Sequence, residues 1–514
     1  MHPAGSLAFR ARVGQSRVWT DPAAGIVGHT AIDGGDDGMP SKKTLNAKNL
    51  QDLGAERLAE ILMEAGAGDA ALKRRLRWEL AAAASPEDLT REVRKRLTTL
   101  ARSKGFIEWH HHKAFVSDLD AQRQAILRVS ETDPAEALDL LWRFMALADA
   151  TYRRCDDSNG AVGEVFRAAC RDLGPVARAA AIAPTALAEQ IRRALSENDY
   201  GQYDGLIETL APALGPAGLG HLKDLVVAWS REPVARPPEA ERVVVAWGRG
   251  GAMYADELAE HRRDGTIRLA LAAIADAEGD VDAFMAQHGN KARRVPAVAV
   301  AFARRLLAAG RAEDALRALE AVEDRPGRVP FEWEEARIDV LEALGRPDEA
   351  QAFRWTCFER SLDPEHLRAY LKRLPDFEDL EAEERARSHA LAYPNAHHGL
   401  MFLTAWPALD QAAALVLARA GEWDGDFYEI LAPAAEALEA RHPLAATILC
   451  RALIDFALDR GRSQRYRHAA RHLQTCESLA PRVEDFGTTE PHDAYRARLK
   501  AVHGRKSGFW SLVP

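Results

Sequence analysis

The fold of this 514-residue chain is decided by two stretches, LLAAGRAEDA at residues 306–315 and LEALGRPDEA at residues 341–350. They lie 35 residues apart, and in each an apolar segment leads to a glycine, an arginine and then acidic residues before an alanine. A helix that stops at glycine, followed by a tight turn and a second helix, is the unit of a helical repeat. The period is close to the 34 residues of tetratricopeptide repeats.

Three further helix starts are predicted outside this repeat. A capping side chain precedes a proline at Ser85-Pro86, Asp133-Pro134 and Asp363-Pro364, which predicts three helix starts. Strand patterns are short, at 243–245 and 298–300, so we assign no sheet. The prediction is an all-α fold in which a helical N-terminal domain precedes a tetratricopeptide-like stack, with an irregular helical bundle as the alternative.

A proline-rich segment at 231–238 divides the chain, because paired prolines cannot propagate a helix. We therefore expect an N-terminal helical domain at 39–232 and a repeat domain at 239–514. Residues 1–38 are Gly-rich and lack helical periodicity. Two interpretations stay open for them: a disordered tail, or an over-extended start with translation beginning at Met39.

The composition is that of an ordinary globular protein, with 47% hydrophobic and 28% charged residues and a formal charge of -9. No run of about 18 apolar residues exists, so no membrane partner is expected. The five cysteines include no C-x-x-C pair, and we expect buried, reduced thiols in a cytoplasmic protein.

Several stretches resemble a large bacterial family known only as a domain of unknown function. They lie at 42–50 (KKTLNAKNL), 134–144 (PAEALDLLWRF), 154–160 (RCDDSNG), 200–206 (YGQYDGL) and 503–510 (HGRKSGFW). The resemblance covers about residues 40–514 and implies no activity, cofactor or catalytic residue. Parts also resemble the helical region of SWIM zinc-finger proteins. This chain lacks the C-x-C and C-x-H ligand set of those proteins, so no zinc role is implied.

The standard catalytic motifs are missing: no G-x-x-x-x-G-K-[ST], H-E-x-x-H or G-x-S-x-G occurs. We therefore predict no catalytic, cofactor or metal residues. A weak candidate polar pocket combines oxygen-bearing side chains from two turns: Asp156, Asp157, Asn159, Tyr200, Tyr203 and Asp204. The competing interpretation is that these side chains cap neighbouring helices. We expect His110, His111 and His112 to form a solvated basic face.

A basic patch is the strongest localised charge signal. Residues 41–113 contain 15 Lys or Arg and 10 Asp or Glu, a local charge of +5 in a protein of -9. The candidate contacts for a nucleic acid or an acidic protein are Arg74, Arg75, Arg91, Arg94, Lys95, Arg96, Arg102 and Lys104. An ordinary solvated helix face is the alternative, because aromatic residues for base stacking are few.

Three function hypotheses follow from the sequence. The first is a noncatalytic interaction scaffold for another protein, because stacked helix pairs form extended binding surfaces. The second is nucleic-acid association through the basic patch. The third is an enzyme whose unrecognised site lies in the polar pocket, which requires the polar residues to converge.

Overall fold

The computed structural model describes residues 45–234, 236–248, 251–322 and 329–513. The predictions for residues 1–38 and for Met39 lie outside these ranges. The chain divides into two compact units between Leu89 and Thr90. The predicted domain boundary near residue 235 stays a prediction.

The first unit contains three helices and the start of a fourth. They are α1 (Ala47–Gln51), α2 (Ala55–Gly68), α3 (Ala70–Ala84) and α4 (Pro86–Arg102), which continues into the second unit. Helix α2 packs on α3, and Trp78 of α3 is buried. Asp69 caps α3 by accepting hydrogen bonds from the amides of Ala71 and Leu72 at 2.8 and 3.0 Å.

The second unit begins with a group of helices that pack on one another. They are α5 (Trp109–Ser130), α6 (Pro134–Met145), α7 (Ala148–Tyr152), α8 (Ala161–Ala180), α9 (Pro184–Ser196) and α10 (Leu206–Arg231). Helices α5, α6 and α8 contact each other, and α10 packs on both α8 and α9. Gly215, with a φ of 57°, interrupts the helical backbone within α10.

A small hairpin corrects the prediction that the chain has no sheet. Strand β1 (Val244–Gly248) pairs antiparallel with β2 (Gly251–Tyr254). The β-branched run favours extended backbone, and Gly248 pairs with Gly251, whose φ is +113°. Both strands are largely exposed, so they add no core and the fold class is unchanged. The second strand-like run, 298–300, lies in a helix, as predicted.

The remaining helices form a continuous stack. They are α11 (Ala255–Glu278), α12 (Val281–Ala286), α13 (Asn290–Arg293), α14 (Pro296–Ala308), α15 (Ala312–Glu320), α16 (Phe331–Ala343), α17 (Pro347–Ser361), α18 (Pro364–Leu371), α19 (Glu378–Leu391), α20 (Ala396–Ala405), α21 (Leu409–Ala418), α22 (Tyr428–Leu438), α23 (Pro443–Asp459), α24 (Tyr466–Leu479), α25 (His492–His503) and α26 (Ser507–Trp510). From α14 to α24 each helix packs on the next, and several also contact the helix after that. This nearest-neighbour packing confirms the predicted helical-repeat stack.

The two quoted stretches form the predicted helix–turn–helix units. Gly310 and Gly345 take the left-handed backbone, with φ of +73° and +70°, directly after α14 and α16. Ala315 and Ala350, in the helices that follow, are fully buried. The glycine ends the first helix, and the small alanine lets the second helix pack closely.

The three predicted capped helix starts are also confirmed. Helices α4, α6 and α18 begin at Pro86, Pro134 and Pro364. The preceding side chains of Ser85 and Asp133 accept amide hydrogen bonds at 3.1 and 3.0 Å, and the third start is capped in the same way. No helix among the described residues is long and apolar enough to cross a membrane.

Candidate functional site

The predicted polar cluster centres on Asp157 at the start of α8. The amides of Val162 and Gly163 donate to its two carboxylate oxygens, both at 2.8 Å. His112 Nε2 lies 3.7 Å from Asp157 Oδ1, and both side chains are more than nine-tenths buried. The carboxylate therefore serves as a helix cap, with an imidazole beside it.

Asp156 and Asn159 hold the turn that precedes α8. Asp156 Oδ1 accepts a hydrogen bond from the amide of Ser158 at 3.0 Å, and Asn159 Oδ1 accepts one from Ala161 at 3.1 Å. Both residues are exposed. These bonds are the local side-chain-to-backbone contacts of a polar turn.

Tyr200 and Asp157 both lie close to Tyr152. The ring of Tyr200 stacks on the ring of Tyr152 with the centroids 4.5 Å apart. Burial raises the pKa of Tyr152, and the negative charge of Asp157 raises it further. One part of the predicted cluster, Asp157 and Tyr200, is thus brought together around Tyr152.

Tyr203 and Asp204 line a separate cavity of about 340 Å³ between the loop before α10 and helix α11. Tyr203 is buried, and Asn198 Nδ2 donates to Asp204 Oδ1 at 2.9 Å. The six predicted residues therefore lie in two separate turns, and their side chains have different surroundings. A functional role for them stays a prediction.

The expectation of a solvated face at 110–112 is wrong for His112. This residue is 4% exposed, and its ring stacks on Trp109 with the centroids 5.5 Å apart. On α5, His112 belongs to the same helical stripe as the buried Leu119 and Ile126. Successive helical residues point about 100° apart, so one of three consecutive histidines faces the core.

The eight predicted patch residues divide between the two units, Arg74 and Arg75 in the first and Arg91, Arg94, Lys95, Arg96, Arg102 and Lys104 in the second. Arg94 forms an ion pair with Glu136 at 2.5 Å. Arg96 pairs with Asp118, and both side chains are largely buried. These pairs reduce the net positive charge presented by α4. Nucleic-acid contact by this patch stays a prediction.

A cavity of about 680 Å³ in the C-terminal part of the stack is the larger candidate site. It lies between the segment that follows α21 and one face of α23. Its principal polar lining residues are Glu422, Asp424, Arg451, Asp455, Asp459, Arg460, Thr488 and Thr489. Gly425 lines this cavity and also a neighbouring one of about 420 Å³.

Arg451 is the most deeply buried charge of this site, with 6% exposure. Its Nη1 donates to the carbonyl of Glu490, and its guanidinium lies 4.3 Å from the ring centroid of Tyr495. Nε and Nη2 are buried and have no hydrogen-bond partner among the described residues. Burial lowers the pKa of Arg451.

Asp455 lies one helical turn further along α23. Tyr495 donates its hydroxyl to Asp455 Oδ1 at 2.9 Å, and Arg498 reaches Oδ2 at 3.4 Å. Burial raises the pKa of Asp455, whereas these two bonds oppose the rise. The carboxyl group is therefore held in a hydrogen-bond network and is not left free.

The rim of the cavity carries carboxylates that already have partners. Glu422 pairs with Arg419 at 2.5 Å, and Asp459 lies 3.1 Å from His503 Nε2. Asp424 Oδ1 accepts the amide of the second residue along the chain at 2.9 Å. The side chains of Glu422 and Asp459 are nevertheless 52% and 65% exposed, so a ligand can reach their carboxylates.

No compact motif contains the residues of this site, so it was not predicted from the sequence. One signal was available: Arg451, Asp455 and Asp459 recur every four residues on the otherwise apolar helix α23. That spacing places their side chains on one face. The segments that contribute Glu422 and Thr488 to the cavity have no sequence pattern that links them to α23.

The described structure is an all-α helical-repeat protein. A sequence profile for a family of unknown function, DUF6880, matches residues 40–512, so the chain belongs to that family. No curated protein gives a significant match. Among solved structures, the chain is similar to a "circular tandem repeat protein with novel repeat topology and enhanced subunit contact surfaces". The identity is 15%, with 89% of this chain and 95% of the other covered, and the TM-score is 0.13.

Proposed function

We propose that the protein is a noncatalytic interaction scaffold whose C-terminal cavity binds a basic segment of a partner protein. The observation that carries this proposal is the polar cavity of about 680 Å³ within the helical stack. Stacked helix pairs commonly present such extended concave surfaces to partners. A cytoplasmic location is supported by the five cysteines, which are all unpaired and buried.

The hydrogen-bond arrangement favours binding over catalysis. Asp455 accepts bonds from Tyr495 and Arg498, and Glu422 pairs with Arg419. Among the described lining residues no serine, cysteine or lysine stands beside a histidine or carboxylate as an activated nucleophile would. The polar groups can orient a ligand, but they do not form a nucleophile–base pair.

The charges of the exposed rim favour a positively charged ligand. Glu422, Asp424 and Asp459 are exposed and negative, whereas Arg460 is the one exposed cation among the described lining residues. Arg451 is buried against Tyr495 and contributes less to the outer surface. A lysine or arginine side chain would meet the carboxylates of Glu422, Asp424 and Asp459 at the entrance of the cavity.

The test is peptide binding by the full chain, measured by isothermal titration calorimetry or fluorescence polarisation. We expect lysine- and arginine-containing peptides to bind in preference to glutamate-containing peptides of equal length, with an affinity that falls as salt rises. The double variant Glu422→Gln, Asp459→Asn should weaken binding by about tenfold, the effect of losing roughly 1.4 kcal/mol of rim attraction.

The matched control is Glu436→Gln, which removes one exposed carboxylate of α22 that does not line the cavity. This variant should bind like the unaltered chain. Equal affinity for acidic and basic peptides would refute the proposed ligand chemistry. Unchanged binding by the double variant would remove the cavity from the function.

A further inference from the structure

Three side chains with different metal-binding chemistry meet inside the middle of the stack. Glu334 comes from α16, Cys357 from α17 and His366 from α18, and one ligand atom of each lies within 4.8 Å of the other two. Their exposures are 5%, 0% and 2%. Among the described residues this is the one group of three or more His, Cys, Asp or Glu side chains with such spacing.

The local backbone explains how three helices reach one point. Helix α17 ends at Ser361, and the next residue, Leu362, takes the left-handed backbone with a φ of 54°. Asp363 then caps α18, which begins at Pro364 and packs on α17. His366 therefore lies in the first turn of α18, against α16, where its ring is 4.7 Å from that of Phe331.

The contacts within the group orient its ligand atoms. His366 Nε2 lies 2.7 Å from Glu334 Oε2, and Arg360 pairs with Oε1 of the same carboxylate. An arginine on the second oxygen is the kind of outer contact that holds a metal-binding carboxylate in place. The Sγ of Cys357 is fully buried beside these polar groups.

We propose that Glu334, Cys357 and His366 bind a zinc ion. A thiolate, an imidazole and a carboxylate are the ligand types that Zn²⁺ takes, whereas magnesium and calcium prefer oxygen alone. Three protein ligands leave one position of a tetrahedral ion for water. Zinc binds the thiolate form of cysteine, so binding would release the thiol proton to solvent, one per ion.

The position of the site would allow a bound ion to connect two parts of the stack. The core cluster that contains Trp333 and Ala336 belongs to the first part of the stack, and the cluster that contains Phe358 and Leu367 belongs to the second. Each ligand is adjacent in sequence to a member of one of these clusters. An ion held by α16, α17 and α18 would join the two clusters, and its binding free energy would add to the folding free energy.

The experiment is titration of the chelator-treated full chain with Co²⁺, followed by displacement with Zn²⁺. We expect one Co²⁺ per chain, with a thiolate-to-cobalt charge-transfer band that disappears when zinc is added. Cys357→Ser should abolish that band. Cys450→Ser is the control, because it removes a thiol that is equally buried but lies on α23.

The unaltered chain decides the outcome even if a variant fails to fold. Absence of a stoichiometric cobalt band in the folded wild-type chain would overturn the proposal and leave a hydrogen-bonded trio without metal. A band that survives in Cys357→Ser would overturn it as well. If Cys357→Ser does not fold, Glu334→Gln keeps the thiol and should lower Co²⁺ affinity by at least about tenfold, as loss of even an outer contact can do. Unchanged affinity in that variant would refute the carboxylate ligand.

Discussion

Gly425 offers a sharp test of how tightly the C-terminal cavity is built. This glycine lines both C-terminal cavities and packs against α23. Its φ lies outside the left-handed region, so alanine can adopt its backbone conformation. The obstacle is space: an added Cβ would lie 2.6 Å from Phe456 Cβ and closer still to the carbonyl oxygen of Ala452.

The magnitude follows from those contacts. Carbon atoms pack at about 3.5–4.0 Å, so Gly425→Ala requires a shift of about 1 Å between the loop and α23. Both obstructing atoms belong to or are attached to a helix backbone, which cannot rotate out of the way as a side-chain tip can. Overpacking of this kind costs about 1–3 kcal/mol.

Gly421→Ala is the matched control in the same segment. A Cβ at Gly421 meets nothing within 4 Å, and its φ is also outside the left-handed region. Both substitutions restrict the unfolded chain equally, which by itself stabilises by about 0.4–1 kcal/mol. The difference between the two variants therefore isolates the steric clash.

Hydrogen exchange measured by mass spectrometry provides the assay, because it reports local opening free energies in a long repeat protein that need not unfold in one step. We expect Gly425→Ala to speed exchange in α22 and α23, and Gly421→Ala to leave it unchanged or slower. Equal exchange in the two variants, within about 0.5 kcal/mol, would refute the close contact between the loop and α23.

Three further predictions concern the second unit. Asp157→Ala should destabilise by about 1–2 kcal/mol, because two amides of α8 lose their cap, whereas Asp156→Ala should cost less; urea midpoints compare them. Burial lowers the pKa of His397 below its ordinary 6.5, so the folded chain binds fewer protons there than the unfolded chain. Stability should be full above pH 6.5 and fall as the pH drops below it, and His397→Gln should flatten part of that slope in denaturant titrations. If the basic patch contacts nucleic acid, Lys95→Glu with Arg102→Glu should weaken DNA binding and reduce its salt dependence in fluorescence polarisation; unchanged binding would exclude the patch.

Some features were predictable because their chemistry lies in contiguous residues. The glycine turns at Gly310 and Gly345 and the capped start at Asp133-Pro134 each involve neighbours in the chain. Backbone preference and capping act over a few residues, so both can be recognised in the sequence. The all-α repeat fold followed from those local signals.

The sequence was less informative where local preferences were balanced. The run at 243–245 favours extended backbone, but its helix-forming neighbours argued against a strand, and the hairpin was missed. The three histidines at 110–112 read as a polar face. His112 faces the core because of the way α5 is rotated against its neighbouring helices, and the sequence alone does not specify that rotation.

The sequence by itself determined the class of this protein: helical, repeated, and built from turns of glycine and caps of aspartate and serine. Only the tertiary structure decided which distant residues meet. Glu334 and His366 are 32 positions apart, and Asp455 meets Tyr495 across 40, because helix packing brings them together. Capping and turn formation depend on residues that are neighbours in the chain, whereas the side chains of a site are brought together by the stacking of one helix on the next.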